Sequence, residues 1–220
     1  MIRAINVISN FPYVEWDTSI MHVVSFYDVF YHQDIVMYRF NYGFDSLING
    51  KLLLRESRKQ LFIFHKDSIY GYEYFVAPNH PAFAGRLLVD SILKVHSYRD
   101  NRLDSLLNFE CDTSFFDDQK NLVKIYNPPV ASAGKEKFTV YLYYTSDLKD
   151  IPETFSKKMD NVENMKLFKA RIAGHGIYNE QYKMAFPPRE SSFEIREIQA
   201  KNEKEILAYF NKYEKEHLKN

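Results

Sequence analysis

The sequence has little of several features on which specialised classes of protein depend. Its 220 residues include one cysteine and seven glycines, and 29 lysine and arginine residues balance 29 aspartate and glutamate residues. A single cysteine cannot form an internal disulfide, so the cross-linking typical of small secreted domains is excluded. A formal charge of zero removes the overall attraction for polyanions that strongly basic nucleic-acid-binding proteins have. We therefore expect a protein of the reducing cytoplasm, and we do not expect nucleic acid as its partner.

Long apolar segments are also lacking. The longest stretch without aspartate, glutamate, lysine or arginine is residues 74–85, which also contains Asn79, His80 and two prolines. A membrane-spanning helix needs about 20 mostly apolar residues. The first residues do not form the apolar core of a signal peptide either. The sequence predicts no membrane span, and a location in the cytoplasm or in a particle assembled inside the cell.

Patterns typical of metal, phosphate and nucleophile sites are absent from the sequence. Its seven histidines show no closely spaced pair, and its few glycines form neither a Walker-type nor a dinucleotide-type string. Cys111 stands between Glu110 and Asp112, and this acidic setting disfavours a reactive thiolate. We therefore expect no catalytic residue, no metal ion and no cofactor.

Aromatic residues, in contrast, are abundant. There are 17 tyrosines and 18 phenylalanines but one tryptophan. Many tyrosines alternate with other residues as in strands, most clearly Tyr70, Tyr72, Tyr74, Tyr141 and Tyr143. Tyrosine has a large apolar body and a polar tip, so it suits half-buried strands and also protein interfaces. An aromatic core is the ordinary explanation, and an interface is the alternative that bears on function.

Hydrophobic patterns predict both strands and helices. Residues 61–64 and 69–76 flank a polar turn and predict a β-hairpin, and residues 138–145 predict a further strand. Leu88, Ile92 and Val95 lie four and three residues apart, and this spacing predicts an amphipathic helix that ends at about His96. The clearest helix is C-terminal. Asn202, with Glu205 three residues later, is expected to cap its start, and one face is formed by Ile206, Phe210, Tyr213 and His217. We expect an α+β fold with mostly antiparallel sheet, a few packed helices and this C-terminal amphipathic helix.

The middle of the chain offers a candidate domain boundary. Residues 106–111 predict a strand, and Asp112 or Thr113 is placed to cap a helix in which Phe116 faces inward. The small, weakly patterned residues 130–137 follow. They divide the chain into an N-terminal α/β portion, residues 1–129, and a β-meander with the C-terminal helix, residues 130–220. One continuous domain is the alternative.

Residues 69–127 resemble part of a known enzyme family. A strand, a loop that contains Gly85, a helix from Arg86, and a further strand and helix occur there in that order. This order resembles the core of the GNAT-type acyltransferases, in which the turn before the helix presents backbone N–H groups to the pyrophosphate of coenzyme A. His80 and Phe83 stand where the family usually has arginine or glutamine and glycine. The resemblance implies three cofactor-binding residues, Gly85, Arg86 and Leu88.

We expect a non-catalytic structural or interaction subunit of a larger protein assembly, of the kind found in viruses and phages. Its partners would be other protein subunits, in a homo- or hetero-oligomer, and its interface would include Tyr70, Tyr72, Tyr74, Tyr141 and Tyr143. The alternative is a small cytoplasmic transferase that depends on acyl-coenzyme A. A basic patch for nucleic acid, formed by Lys51, Arg55, Arg58 and Lys59, is less favoured because Glu56 interrupts it.

Overall fold

Strands dominate the structure, a computed structural model that describes residues 2–14, 19–48, 51–76, 81–96, 101–128, 137–180 and 183–218. The first strands are β1 (Arg3–Val14), β2 (Ile20–His32), β3 (Ile35–Ile48), β4 (Lys51–His65), β5 (Tyr70–Val76) and β6 (Pro81–Leu88). Two helices follow, α1 (Val89–His96) and α2 (Asn101–Asp104), and then a short 3₁₀ helix, Ser105–Asn108. The remaining elements are β7 (Thr113–Phe116), β8 (Leu122–Tyr126), β9 (Phe138–Thr145), α3 (Lys157–Glu163), β10 (Lys166–Gly174), β11 (Ile177–Asn179), β12 (Met184–Phe186), β13 (Arg189–Ile198) and α4 (Glu203–His217).

The expected α+β class is wrong, because the described part of the chain is mainly antiparallel sheet. Eleven strands form one sheet in the order β6-β5-β4-β3-β2-β1-β13-β10-β9-β8-β7, and β11 and β12 form a separate pair. Neighbours from β2 to β6 and from β7 to β10 pair antiparallel, as β10 does with β13. The helices of the described residues are few beside this sheet, so the fold is β-rich.

The segment before β8 shows where the expectation failed. The predicted strand over residues 106–111 begins inside the 3₁₀ helix, and the predicted helix after it is the antiparallel hairpin of β7 and β8. Phe115 pairs with Val123 across that hairpin. Aromatic and β-branched side chains favour a pleated strand, and here this preference prevails over the helical spacing of the apolar residues.

A side-chain turn fixes the hairpin. The Asp117 carboxylate oxygen Oδ1 accepts hydrogen bonds from the backbone N–H groups of Gln119 and Asn121, each at 2.9 Å. Lys120 has a left-handed backbone with φ of 64°. Bonds from an aspartate side chain to nearby N–H groups stabilise a tight turn at the expense of a helix. These bonds also explain why the pKa of the Asp117 carboxyl lies below its usual value.

Two local predictions are confirmed. β4 and β5 form the expected hairpin, in which Ile63 pairs with Tyr72. The C-terminal helix is α4, and its buried face includes Ile206, Phe210 and Tyr213. Its first turn differs from the expectation, because Asn202 has φ of 60° and its side chain makes no capping hydrogen bond.

The chain divides into two compact units that are both discontinuous in sequence. Unit 1 comprises Met1–Val7, Phe26–Ser97 and Arg196–Asn220, and unit 2 comprises Ile8–Ser25 and Tyr98–Ile195. The division falls within β1, β2 and β13. The boundary expected between residues 129 and 130 lies outside the described residues.

The core of unit 1 lies between one face of its strands and α4. The strands contribute buried side chains that include Phe30, Met37 and Ile63, and α4 contributes Ile206, Phe210 and Tyr213. Burying a side chain of this size stabilises the fold by about 1.5–3 kcal/mol relative to leaving it in water. The helix is therefore an integral part of the core of unit 1.

The opposite face of these strands carries aromatic rings. Tyr38 stacks on Tyr27 and Phe64, with centroid distances of 5.8 and 5.9 Å. A Cβ atom at Gly71 would lie 2.3 Å from Cζ of Phe62, whose ring rests against the glycine. Only glycine allows this close approach without moving the ring. Both faces of the unit 1 strands thus hold buried side chains.

Unit 2 has its own core and a well-defined short helix. Phe193 contacts the rings of Phe11 and Phe155. The Ser156 hydroxyl caps α3 by accepting a hydrogen bond from the Met159 N–H at 3.1 Å, and it donates to Asp104. A serine cap satisfies one of the N–H groups left unpaired at a helix start. The cap orients α3 so that Met159 is fully buried.

Candidate functional site

Two of the tyrosines predicted at an interface contribute to the core of unit 1: Tyr74 is buried in it, and the partly buried Tyr72 packs against it. The Tyr74 side chain is 1% exposed, and its hydroxyl lies 3.1 Å from Nε2 of His217 and 3.3 Å from the Glu216 carboxylate. Tyr72 stacks on the imidazole of His217. Burial, with Glu216 nearby, raises the pKa of the Tyr74 hydroxyl, and burial lowers the pKa of His217. This cluster joins α4 to β5.

The other three predicted tyrosines are half-buried and lie under cationic side chains. The Arg86 guanidinium lies 3.8 Å from the ring centroid of Tyr70. In unit 2, Arg171 lies 4.1 Å from the ring centroid of Tyr141, and Lys169 lies 5.5 Å from that of Tyr143. Lys169 and Arg171 also approach Glu194 and Glu190 on β13. Cross-strand pairs of this kind stabilise a sheet, and an interface role for these tyrosines stays a prediction.

The segment expected to bind coenzyme A has a different local structure. Gly85, Arg86 and Leu88 lie in β6, where Gly85 pairs with Glu73 of β5. A register shift follows this pair, which identifies a β-bulge beside Gly85. A Cβ atom at Gly85 would meet nothing within 4 Å. The expected loop before a helix is thus wrong as local structure, because α1 begins only at Val89.

Other predicted features fall partly outside the described residues. His80 lies outside them, and so do the side chains of Lys51, Arg55 and Arg58, whereas Lys59 is exposed. Within the described ranges, no group of three or more histidine, cysteine, aspartate or glutamate side chains is placed to hold a metal ion. No helix in that part of the chain has the length and apolar character needed to cross a membrane.

A polar pocket of about 300 Å³ lies in unit 2, lined in part by Lys149, Lys157 and Lys166. The Lys166 side chain is 6% exposed, and its ammonium group lies 2.8 Å from the Asp160 carboxylate and donates to the Glu153 carbonyl. Lys149 donates to Asn164 at 2.7 Å. Two of the three cations therefore already have protein partners, and the buried pair serves the structure of unit 2.

The strand β7 has the properties expected of a docking site. It lies at one end of the strand order, and among the described residues its neighbour is β8 alone. All four of its residues are exposed, including Phe115 at 47% and Phe116 at 65%. Consecutive residues of a strand point to opposite faces. β7 therefore presents a phenylalanine on each face of an open sheet edge.

The backbone of β7 is oriented for pairing with a further strand. The Asp117 N–H donates to the Asn121 carbonyl at 3.0 Å. Asp117 and Asn121 therefore form a hydrogen-bonded pair of the ladder. Such pairs alternate with non-bonded pairs along an antiparallel ladder, so Phe115, two residues before Asp117, is also bonded to β8. Ser114 and Phe116 lie in the non-bonded pairs and direct their N–H and C=O groups outward. An open edge of this kind is a template for another strand.

Acidic residues lie at both ends of β7. Glu110 and Asp112 precede the strand, and Asp117 and Asp118 follow it. Lys120 is the one basic residue from 110 to 120 in the sequence. Asp112 accepts a hydrogen bond from the Asn127 N–H at 2.7 Å, which uses one carboxylate oxygen and leaves its charge in place. The edge is therefore apolar at its centre and negative at both ends.

The sequence pattern did not predict this edge, because the spacing of its apolar residues placed Phe116 inside a helix. A signal was available in the polar run Asp117-Asp118-Gln119-Lys120, which separates the aromatic residues of β7 from the β-branched residues of β8. Turn-forming residues between two such runs are typical of a hairpin.

A second exposed apolar surface lies on the first half of β2. Met21, Val23 and Val24 are exposed there, and they point to both faces of the strand. The Ser9 and Ser25 hydroxyl groups of β1 and β2 are 2.9 Å apart. Exposed apolar groups of this kind accompany protein interaction sites.

No protein-family model matches the chain, and no curated protein sequence matches it. A function for this chain therefore has to be inferred from its own residues and geometry.

Proposed function

We propose that the protein is a non-catalytic interaction subunit that binds a partner protein by pairing a strand of that partner with β7. The observation that carries this proposal is the exposed edge of β7, with Phe115 and Phe116 on its two faces and outward N–H and C=O groups at Ser114 and Phe116. Strand addition at a sheet edge is a recurring mode of peptide recognition.

The composition of β7 favours docking over simple exposure. Proteins protect sheet edges with prolines, charges within the strand, bulges or covering loops. The four residues of β7 include no proline and no charge, and two of them are phenylalanines. An edge that served only to remain unpaired would not need large apolar side chains on both faces.

The magnitudes indicate that the rings and the backbone act together. Phe115 and Phe116 are 47% and 65% exposed, so burying the exposed parts of both rings contributes about 1.5–3.5 kcal/mol, whereas association costs about 4–15 kcal/mol in lost freedom. Each new backbone hydrogen bond adds about 0.5–1.5 kcal/mol net. A partner that forms only one of these two kinds of contact would bind weakly, so specific recognition requires an extended segment with apolar side chains.

We place this subunit in the cytoplasm or in a particle assembled inside the cell, such as a viral or phage assembly. The support is the sequence, whose single cysteine cannot form an internal disulfide. Light scattering tests the assembly by measuring the molar mass of the protein in solution. A mass equal to that of one chain at micromolar concentration, with no partner captured, would contradict it.

Two variants test the docking site. Ser114→Pro removes an N–H group that points outward, so it blocks pairing without loss of a bond to β8. Phe116→Lys replaces an exposed ring by a charge. The matched control is Phe75→Lys, which changes an exposed phenylalanine of β5 in unit 1.

In affinity capture from the cells that produce the protein, followed by binding measurements with the purified partner, the wild type and Phe75→Lys should bind equally. Ser114→Pro and Phe116→Lys should lose the partner while their circular dichroism and thermal unfolding stay unchanged. Equal binding by all four proteins would exclude β7 as the docking site.

A further inference from the structure

We infer that the strand that pairs with β7 comes from a different protein and carries lysine or arginine on both sides of an apolar centre. This inference rests on the proposed function and specifies the chemistry of the partner. The observation behind it is the distribution of charge along β7 rather than its exposure.

The ends of β7 carry the same sign of charge. Glu110 and Asp112 lie before its first residue, and Asp117 and Asp118 lie after its last. Residues 110–120 contain four carboxylates and one basic residue, Lys120, so this short segment has a negative net charge, although the net charge of the whole chain is zero.

The next strand does not compensate this charge. Lys124 of β8 pairs with Ser114 in the ladder, but its ammonium group is bound to the Glu163 carboxylate at 2.6 Å. Its charge is therefore already matched within unit 2. The negative ends of β7 remain available to attract a partner.

A second copy of the chain is a poor occupant of this edge. In an antiparallel β7–β7 pair, Asp112 of each copy would approach Asp117 and Asp118 of the other. In a parallel pair, each acidic end would lie beside its own equivalent. Like charges directly opposite each other destabilise a pair of strands, and two unit charges about 4 Å apart repel by about 1 kcal/mol even at the dielectric constant of water. Both strand orientations place carboxylates of one copy beside carboxylates of the other, so charge repulsion opposes pairing between copies at each end of β7.

A partner strand with basic flanks removes this conflict. Its lysine or arginine side chains would lie beside the carboxylates at both ends, while its apolar residues cover Phe115 and Phe116. Such complementarity raises the association rate, selects the partner and weakens with added salt. The apolar centre supplies affinity and the charged ends supply specificity.

A library of displayed random peptides tests this inference without knowledge of the partner. The library is selected on the wild-type protein and counter-selected on Ser114→Pro. We expect the enriched peptides to contain alternating apolar residues between lysine or arginine residues. When their basic residues are replaced by glutamate, binding at low salt should weaken about tenfold or more, and this ratio should fall as salt is added.

A charge reversal of the protein provides the reciprocal test. In Glu110→Lys/Asp118→Lys, the preference should shift from peptides with basic flanks to their glutamate-flanked counterparts. The control, Asp67→Lys/Glu214→Lys, makes the same change of charge in unit 1 and should keep the wild-type preference. A reversal that follows net charge alone would appear in both variants and would contradict a local effect at β7.

The outcomes separate the two proposals. Enriched peptides that require β7 but carry neutral or acidic flanks would overturn the inference and leave the proposed function standing. Dimerisation of the chain in sedimentation that Ser114→Pro abolishes would likewise overturn the inference. If no enriched peptide is sensitive to Ser114→Pro, then both the inference and the proposed function fail.

Discussion

The imidazole ring of His217 stacks on the ring of Tyr72, with centroids 3.5 Å apart and planes inclined by 15°. Its Nε2 atom lies 3.1 Å from the Tyr74 hydroxyl. The pKa of His217 is lowered by burial, an effect that Glu216 partly offsets. Protonation of this imidazole therefore costs more in the folded protein than in the unfolded chain.

This relationship predicts that unit 1 loses stability as the pH falls below about 6.5, the ordinary pKa of histidine. Below that pH the unfolded chain binds the proton first, so the free energy of unfolding decreases until the folded pKa is reached. His217→Gln should show a smaller loss of melting temperature between pH 7.5 and 5.5 than the wild type. Equal losses in both proteins would show that other groups cause the pH dependence.

Two phenylalanines should separate stability from binding. Phe210 is fully buried, so Phe210→Ala should lower the free energy of unfolding by about 3–5 kcal/mol. Phe116 is 65% exposed, so Phe116→Ala should change the free energy of unfolding by less than about 0.5 kcal/mol. Urea unfolding measures both values. A large loss for Phe116→Ala would mean that this ring supports the fold rather than a partner.

The buried pair of Lys166 and Asp160 should matter more than an exposed pair. Lys166→Met leaves the Asp160 charge largely buried without its partner, which should cost about 3–5 kcal/mol. Lys66→Met is the control, because Lys66 and Asp34 are both more than half exposed, and we expect no measurable change of melting temperature. Thermal unfolding of the two variants tests this difference, and similar effects would contradict it.

Acetyl-coenzyme A should neither bind nor stabilise the protein. The backbone at Gly85 belongs to a paired strand, and the Arg86 guanidinium lies over Tyr70, so these groups are not arranged at a helix start that attracts pyrophosphate. Calorimetric titration should show no heat, and the melting temperature should not shift. A saturable signal would restore the acyltransferase alternative.

Local patterns in the sequence predicted the elements that depend on local interactions. The hairpin of β4 and β5 and the amphipathic α4 were recognised because their side-chain periods fit one structure only. The hairpin of β7 and β8 was not recognised, because its apolar spacing also fits a helix and the Asp117 side chain decides between the two. The order of the strands depends on pairings between distant segments, which a local period does not encode.

The candidate site could be predicted only in part for a related reason. Alternation shows which residues of a strand share a face, but it does not show what covers that face. Tyr74 reads as an interface residue until Glu216, 142 positions later, is found beside its hydroxyl. Phe116 reads as a core residue until β7 is found at the end of the strand order.

The core of unit 1 has a consequence for the nascent chain on the ribosome. Ala4 of β1 and the preceding Ile2 are translated before the other members of this core, whereas Phe210 and Tyr213, which pack in the same cluster, are translated after every strand of the unit. Until α4 emerges, the apolar face around Met37 and Ile63 lacks its cover. Partly folded chains with such exposed surface aggregate readily. The core of this unit can therefore close only after α4 has been synthesised, and a premature stop before α4 would release a chain with this apolar face uncovered.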